Sequence, residues 1–375
     1  MLSTKIRQLG EKLHHAEDAV GRYLADTCEL RRFWKTHGEE DIISSSYYPN
    51  EKKKSYRQIR REIEMLLRTR KASNNPQKVF NAYMILGMDC ASRRVEDYLF
   101  GIEFQRLLDK KRPVYSYILD NKIFTLVYLS ARGIAVSEIL GQVDAKGIFH
   151  SLDNKVKMNF HEWLATRSEP VFCKQPNGFQ GTSCFVLERE GDHYLVSGKP
   201  CTRGELDALT PQLQIETVIR QHEGMAAIYP DSVNTCRIVT VVDHGEIRFF
   251  SGYALFGCNG VRVSNGCSGG LLISFDQTGK LGPFAVRELN FGGGTYTRHP
   301  DTGVVFGDCR IPYLEEALRL AIQAHETMPT IGSVGWDIAI TPTGPIIIEG
   351  NRGWTTVEHQ IFRGGLRKEV ESIFA

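Results

Sequence analysis

Two carboxylates near the C-terminus have the types and spacing to share a cation. Asp337 stands among Trp336, Ile338, Ala339 and Ile340, and Glu349 ends a run of three isoleucines. Thr341-Pro342-Thr343-Gly344 lies between them, so the two runs predict a hairpin. Asp337 and Glu349 are about equally far from that turn and fall opposite one another, with the register open by one residue. Asn351 shares the face of Glu349. Facing carboxylates repel unless a cation or a proton lies between them. Three oxygen-bearing side chains at the ends of apolar strands suit a hard cation. Magnesium fits, because it takes few carboxylates and keeps waters and phosphate oxygens. The hairpin alone also accommodates a plainer arrangement, in which one exposed carboxylate and one strand-end residue never meet.

A second candidate is Lys174, which closes the apolar run VFCK (171–174). Gln175-Pro-Asn-Gly178-Phe-Gln-Gly181-Thr182-Ser183 follows it. Such a glycine loop can turn backbone N–H groups onto phosphate oxygens, and the lysine adds a point charge. It is not a Walker loop, since no Gly-Lys-Ser/Thr is present and a strand comes next. Alone, the loop reads as an ordinary glycine-containing hairpin of a β-rich protein. Lys122, at the start of a helix capped by Asn121, carries still less by itself.

The elements that must position these groups fall into two textures. Residues 1–115 read as mainly helical: Ile59, Ile63, Leu66 and Leu67 share one face, and 97–113 predicts a helix stopped near Pro113. Lys52, Lys53, Lys54, Arg57, Arg60 and Arg61 form a basic stretch that reads as a solvated helix face, with a nucleic-acid or acidic-lipid patch as the alternative. From about 116 onward, β-branched runs alternate with helices. Strand pairs are expected over 171–190, 236–256, 269–282 and 336–351, and a helix over 311–329 with Pro312 at its start. This pattern predicts an α+β fold of antiparallel sheets rather than a doubly wound one. The expected divisions are 1–115, 116–215 and 216–375.

With 375 residues and a net charge of +2, bulk charge points to no nucleic acid. No run is long and apolar enough for a membrane span, and the first residues hold no apolar signal core. Nine cysteines without a C-x-x-C pair read as reduced thiols. A cytoplasmic location is the resulting expectation.

The order of these pieces resembles the ATP-grasp superfamily. More narrowly, 220–241, HPDTG (299–303) and VGWDIAITPTGPIIIEGNRG (334–353) look like the sugar-transfer-associated ATP-grasp proteins. The resemblance covers about residues 80–375, and its specific parts are Asp337…Glu349-Gly-Asn351 and Ser232-Val-Asn-Thr-Cys-Arg237. It implies an ATP-grasp fold, two α+β subdomains clasping ATP, behind the helical N-terminal region. It implies that Lys122 and Lys174 contact ATP phosphates and that Gly178, Gly181, Thr182 and Ser183 belong to a phosphate loop. Glu216, Val218 and Ile219 would lie in the adenine hinge, with Gln221 and His222 close by. Asn234 and Arg237 would face the phosphates, and Arg262 and Asn265 the transferring phosphoryl group. There this chain departs from the pattern, with Ser264 where relatives often have Asp. Asp337, Glu349 and Asn351 would hold magnesium, with manganese as an alternative.

The chemistry so implied is carboxylate activation as an acyl phosphate, followed by attack of an amine. Lys174, Arg237 and Arg262 would be catalytic, and His222 and His299 are the local base candidates. Arg298 is a candidate for a substrate carboxylate. The partners implied are a small carboxylate and a small amine, with the N-terminal region a candidate dimer surface. A phosphotransferase and a non-catalytic ATP-binding scaffold are the alternatives.

Overall fold

From residue 135 onward, β-branched and aromatic runs separated by turn residues fold as antiparallel ladders. The computed structural model describes residues 28–43, 47–48, 50–175, 184–191, 193–209, 212–260 and 269–374. The chain divides into two compact units, Met1–Phe104 with Gly365–Arg367, and Gln105–Gly364 with Lys368–Ala375.

The first unit is mainly helical where it is described. The helix Tyr56–Arg68 is capped by Ser55, whose side chain accepts from the Gln58 amide, and buries Ile59, Ile63 and Leu66 on one stripe. Leu67 sits at the stripe's edge, half-buried. The helix Pro76–Ile85 starts on Asn75, with proline in its first turn. The basic stretch is not wholly solvated, which corrects the sequence expectation. Lys53 pairs with Asp89 at 2.8 Å, and buried Lys54 pairs with Glu62 at 2.8 Å. The Tyr83 hydroxyl donates to the same Glu62 carboxylate. These lysines balance internal carboxylates, because a charge removed from water needs a partner. The helix expected over 97–113 runs Gly101–Lys110.

The second unit carries two sheets. One orders Lys157–Asn159 (β3), Ile148–Ser151 (β2), Ile139–Val143 (β1), Leu213–Thr217 (β8), Val171–Lys174 (β4), Cys184–Glu190 (β5), His193–Val196 (β6) and Lys199–Cys201 (β7). The other orders Thr295–Tyr296 (β13), Leu281–Arg287 (β12), Leu271–Phe275 (β11), Glu246–Phe256 (β10), Thr235–Asp243 (β9), Ser333–Thr341 (β14) and Gly344–Asn351 (β15). Neighbouring strands are antiparallel throughout, as the alternating pattern predicts. The first sheet buries Val171, Cys173 and Ile215 with Phe149, Phe160 and Trp163. The second packs Ile238, Trp336 and Ile338 against the helix Leu314–Glu326. That helix begins later than expected, because Tyr313 takes a left-handed conformation at φ 51 and breaks the run after Pro312.

Two seams hold the sheets to each other. Ser137 N donates to Ile347 O at 2.9 Å and Ile347 N to Ala135 O at 3.0 Å, just before β1 begins. On the exit from β8, His222 N donates to Ile340 O at 2.7 Å. The segment 218–221 therefore spans from one sheet to the other. Among the described residues no helix is long and apolar enough to cross a membrane.

Candidate active site

Strand alternation sends every second side chain of β4 into the core and the others to the opposite face. Val171 and Cys173 are buried in the first sheet's core, so Phe172 and Lys174 face a cavity of about 930 Å³ between the two sheets. Val186 joins Phe172 on that wall, and Leu255 and Ile348 form the wall opposite. Apolar walls with polar groups at one end are how a flat ring carrying a charged tail is bound. Val218 and Ile219, in the connecting segment, line the same cavity.

Lys174 is almost wholly buried, and its ammonium pairs with Glu216 on the neighbouring strand β8. Glu216 is 2% exposed and also accepts from Gln214 Nε2. A buried pair of this kind is held by the mutual dependence of its charges rather than by large net gain. The side chain of Glu216 thus serves Lys174.

The carboxylate hairpin closes in the register that brings its acids together. Asp337 pairs directly with Glu349, and a bulge falls between Asp337 and Ile338. Arg237 lies opposite Asp337 on the other side, across β9 and β14. Its Nε and Nη2 donate to the two Asp337 oxygens at 2.5 and 3.0 Å, and Asn351 Nδ2 donates to Oδ2 at 3.2 Å. The fork is the planar, bidentate geometry that arginine makes best. Gly335 permits it: a Cβ there would lie 3.0 Å from Trp354 Cβ and 3.6 Å from Arg237 Cδ. Among the described residues Glu349 pairs only with Lys122 Nζ, at 3.6 Å. Burial first, and then the Asp337 charge, push its carboxyl above the ordinary range, while Lys122, Lys174 and Arg237 pull it back. A divalent cation would relieve that strain. Among the described residues no three His, Cys, Asp or Glu side chains are placed to hold a metal ion. A cation here takes two carboxylates and an amide oxygen, leaving positions for water and phosphate, a set that fits magnesium.

The structure therefore brings together Lys122, Lys174, Glu216, Val218, Ile219, Gln221, Arg237, Asp337 and Glu349 around one cavity. Asn351 reaches it through Asp337. Gly178, Gly181, Thr182, Ser183, Arg262 and Asn265 lie outside the described residues. Asn234 is placed differently from the expectation that it faces phosphates. It is fully buried, and its amide donates to Gln221 Oε1 at 3.0 Å, Met225 O at 3.0 Å and Tyr229 O at 2.7 Å. Gln221 in turn donates to Tyr229 O and Ser232 O. These two amides tie down the loop between β8 and β9, because backbone groups turned inward there need partners. Asn234→Ala is expected to cost about 2–3 kcal/mol, from the polar groups it strands. Chemical denaturation checks this, and a loss below about 0.5 kcal/mol would count against the clamp.

His299 is also removed from base chemistry. Its Nε2 donates to Gly257 O at 2.8 Å and its Nδ1 accepts from Asp301 N, while burial holds its pKa below the ordinary value. His222 lines the cavity but caps a short helix through the Gly224 amide. Arg298 is exposed and donates to Gly303 O within its own loop. The apolar walls are no part of the sequence expectation, although Phe172 stands two positions before Lys174 on the same face.

The family described as sugar-transfer associated ATP-grasp matches residues 101–375. No curated protein matches the chain. Similar solved structures include the VanG D-Ala:D-Ser ligase from Enterococcus faecalis, 12% identical, with a TM-score of 0.40 and coverage of 69% of this chain and 63% of that one. N5-carboxyaminoimidazole ribonucleotide synthetase from Thermotoga maritima is 13% identical, with a TM-score of 0.36 and coverage of 67% and 48%. The L-amino acid ligase from Bacillus licheniformis is 17% identical, with a TM-score of 0.32 and coverage of 64% and 43%. The chain spans about half the length of the first synthetases it matches.

Proposed function

This chain belongs to the sugar-transfer associated ATP-grasp family, and from that membership we propose that it is an ATP-dependent ligase joining a carboxylate to an amine. The observation that carries the reading is the convergence of Arg237, Asp337 and Glu349 with Lys122 and Lys174 at one end of an apolar-walled cavity. The adenine ring would lie between Phe172 and Val186 on one side and Leu255 and Ile348 on the other. Backbone groups of Val218 and Ile219 would read its edge. Lys174 and Lys122 would hold the phosphates as fixed positive charges.

Asp337, Glu349 and Asn351 would hold magnesium, or manganese, which offsets charge on the β- and γ-phosphates when bound. A substrate carboxylate oxygen attacks the γ-phosphorus in line, the bond to the β-phosphate oxygen breaks, and ADP leaves. An amine nitrogen then attacks the acyl carbon, loses a proton and displaces inorganic phosphate. Arg237 would steady the oxyanion formed in that attack. The Asp337 carboxylate keeps its guanidinium aligned.

The direct test is a phosphate-release screen of carboxylates against amines with ATP and magnesium, with mass spectrometry of the products. ADP, inorganic phosphate and an amide are expected, and release should stop when the metal is chelated. A phosphoester product would establish a kinase instead. Nucleotide binding without any turnover would leave a scaffold.

A further inference from the structure

The segment that delivers Lys122 to the cavity turns an apolar face outward. The short helix Val114–Asp120 buries Ser116 and Leu119, which leaves Val114 and Tyr117 together on another rung. Asn121 closes that helix and caps the next, Lys122–Ser130, through the Phe124 amide. Thr125 Oγ1 donates back to Ile118 O at 2.6 Å, which ties the two elements together. Leu119, Leu126 and Leu129 enter one core. On the outside, Val114 is 83% exposed and Phe124 64%, with Tyr115, Tyr117 and Val127 also exposed. After Lys122 the second helix holds no charged residue on either side. A helix apolar all round is normally covered. Five such side chains present about 500 Å², the size of patch that marks an interaction site on a monomer.

The charge around this face is positive. Residues 105–135 hold six Lys or Arg and two Asp, a net +4 in a chain of net +2. Lys110 and Lys111 stand just before Val114, and both are exposed. Arg132 follows the second helix, with its guanidinium 3.6 Å from the centre of the Tyr128 ring. Among the described residues none of these three meets a carboxylate; Lys111 donates to Ile373 O. The Arg352 guanidinium lies 4.0 Å from the centre of the Tyr117 ring and its Nε donates to Asp120, which puts a cation in the patch itself. A second copy across a two-fold axis would set this cationic fringe against itself. A nucleic acid would stack on the rings but leave Val114 and Val127 unused, since neither has a π-face. An anionic bilayer surface uses all three kinds of group. Apolar side chains enter the acyl boundary, tyrosines sit at headgroup level, and lysine and arginine meet lipid phosphates.

We infer that the face formed by Val114, Tyr115, Tyr117, Phe124 and Val127 docks this chain onto an anionic phospholipid surface. The contact is peripheral, with the side chains reaching the headgroup and upper acyl level. Lys110, Lys111 and Arg132 supply the long-range attraction, and the apolar group supplies the hold. The docking is independent of the ligase reading, since none of the five side chains lines the nucleotide cavity.

Flotation of the full chain with phosphatidylcholine vesicles, with and without about a third of phosphatidylglycerol, reads the contact. Binding to the anionic vesicles should exceed that to the neutral ones by about tenfold or more, and should fall as salt is raised. Phe124→Ser should weaken it about tenfold and Val114→Ser about fivefold, through lost apolar burial. Lys110→Gln should weaken it about fivefold on anionic vesicles. Each variant should keep the wild-type melting temperature and its affinity for a non-hydrolysable ATP analogue, because these side chains lie outside core and cavity. No binding to anionic vesicles, equal binding to neutral ones, or unchanged binding by both apolar variants would overturn the docking. So would a dimer in light scattering that Phe124→Ser dissociates, since a second copy would then cover the face.

Discussion

Glu349→Gln is expected to lower ATP turnover by about a hundredfold or more while leaving the protein at least as stable. The two halves of this result have separate causes. Glu349 faces Asp337 directly across the hairpin, and burial and that neighbour both work against its charge. Glutamine keeps the shape and removes the repulsion. The interaction given up, with Lys122 at 3.6 Å and Glu349 30% exposed, is worth at most about 1 kcal/mol. Turnover falls because the amide cannot offset the charge of a divalent cation held against phosphate.

The pH dependence follows from the direction of the shift. A carboxyl raised in the folded state binds more protons there than in the unfolded chain, so stability falls as pH rises. For Glu349 the fall begins at the ordinary carboxylate value and ends at the raised one. Melting curves should show this decline in the wild type, and Glu349→Gln should lack it. Parallel curves for the two proteins, or full ATP turnover by the variant, would remove the basis for the metal assignment.

Lys174→Met carries the largest expected cost to stability, and a second substitution should reverse it. Methionine cannot balance Glu216, which is left charged and buried with, among the described residues, only the Gln214 amide donating to it. Stranding one member of a buried pair costs about 3–5 kcal/mol. For a unit of this size that lowers Tm by about 10 °C. Adding Glu216→Gln to Lys174→Met should restore most of the loss, since the charge needing a partner is gone. Turnover should stay abolished in both, because phosphate contact needs the lysine itself. If the two losses simply add, the pair is not a mutually dependent unit, and Lys174 acts on nucleotide alone.

The hairpin shows how far a strand pattern reaches. Two apolar runs around Thr341-Pro342-Thr343-Gly344 were enough to put Asp337 and Glu349 face to face within a residue. Local alternation and a short turn leave few other arrangements. The helix start at Lys122 was equally legible, since Asn121 caps it through the Phe124 amide. Asn234 was not. The family resemblance implies a polar group facing phosphate, yet it is spent on carbonyls at Met225 and Tyr229. Nothing local distinguishes an amide that binds a ligand from one that holds a loop. The basic stretch failed for the same reason, since Asp89 and Glu62 reach Lys53 and Lys54 only after the helices pack.

The sequence by itself thus determined the antiparallel α+β class, the order of the charged groups and the face of the strand on which each stands. A two-residue period, a capping side chain and a turn are local, and the energies that select them act within a few residues. The tertiary structure alone decided which charges meet: Lys174 with Glu216, Arg237 with Asp337, and Lys54 with Glu62. Those pairings depend on strand order within each sheet and on which helix covers it. Packing of distant apolar faces settles both, and electrostatics then acts on whatever it finds side by side.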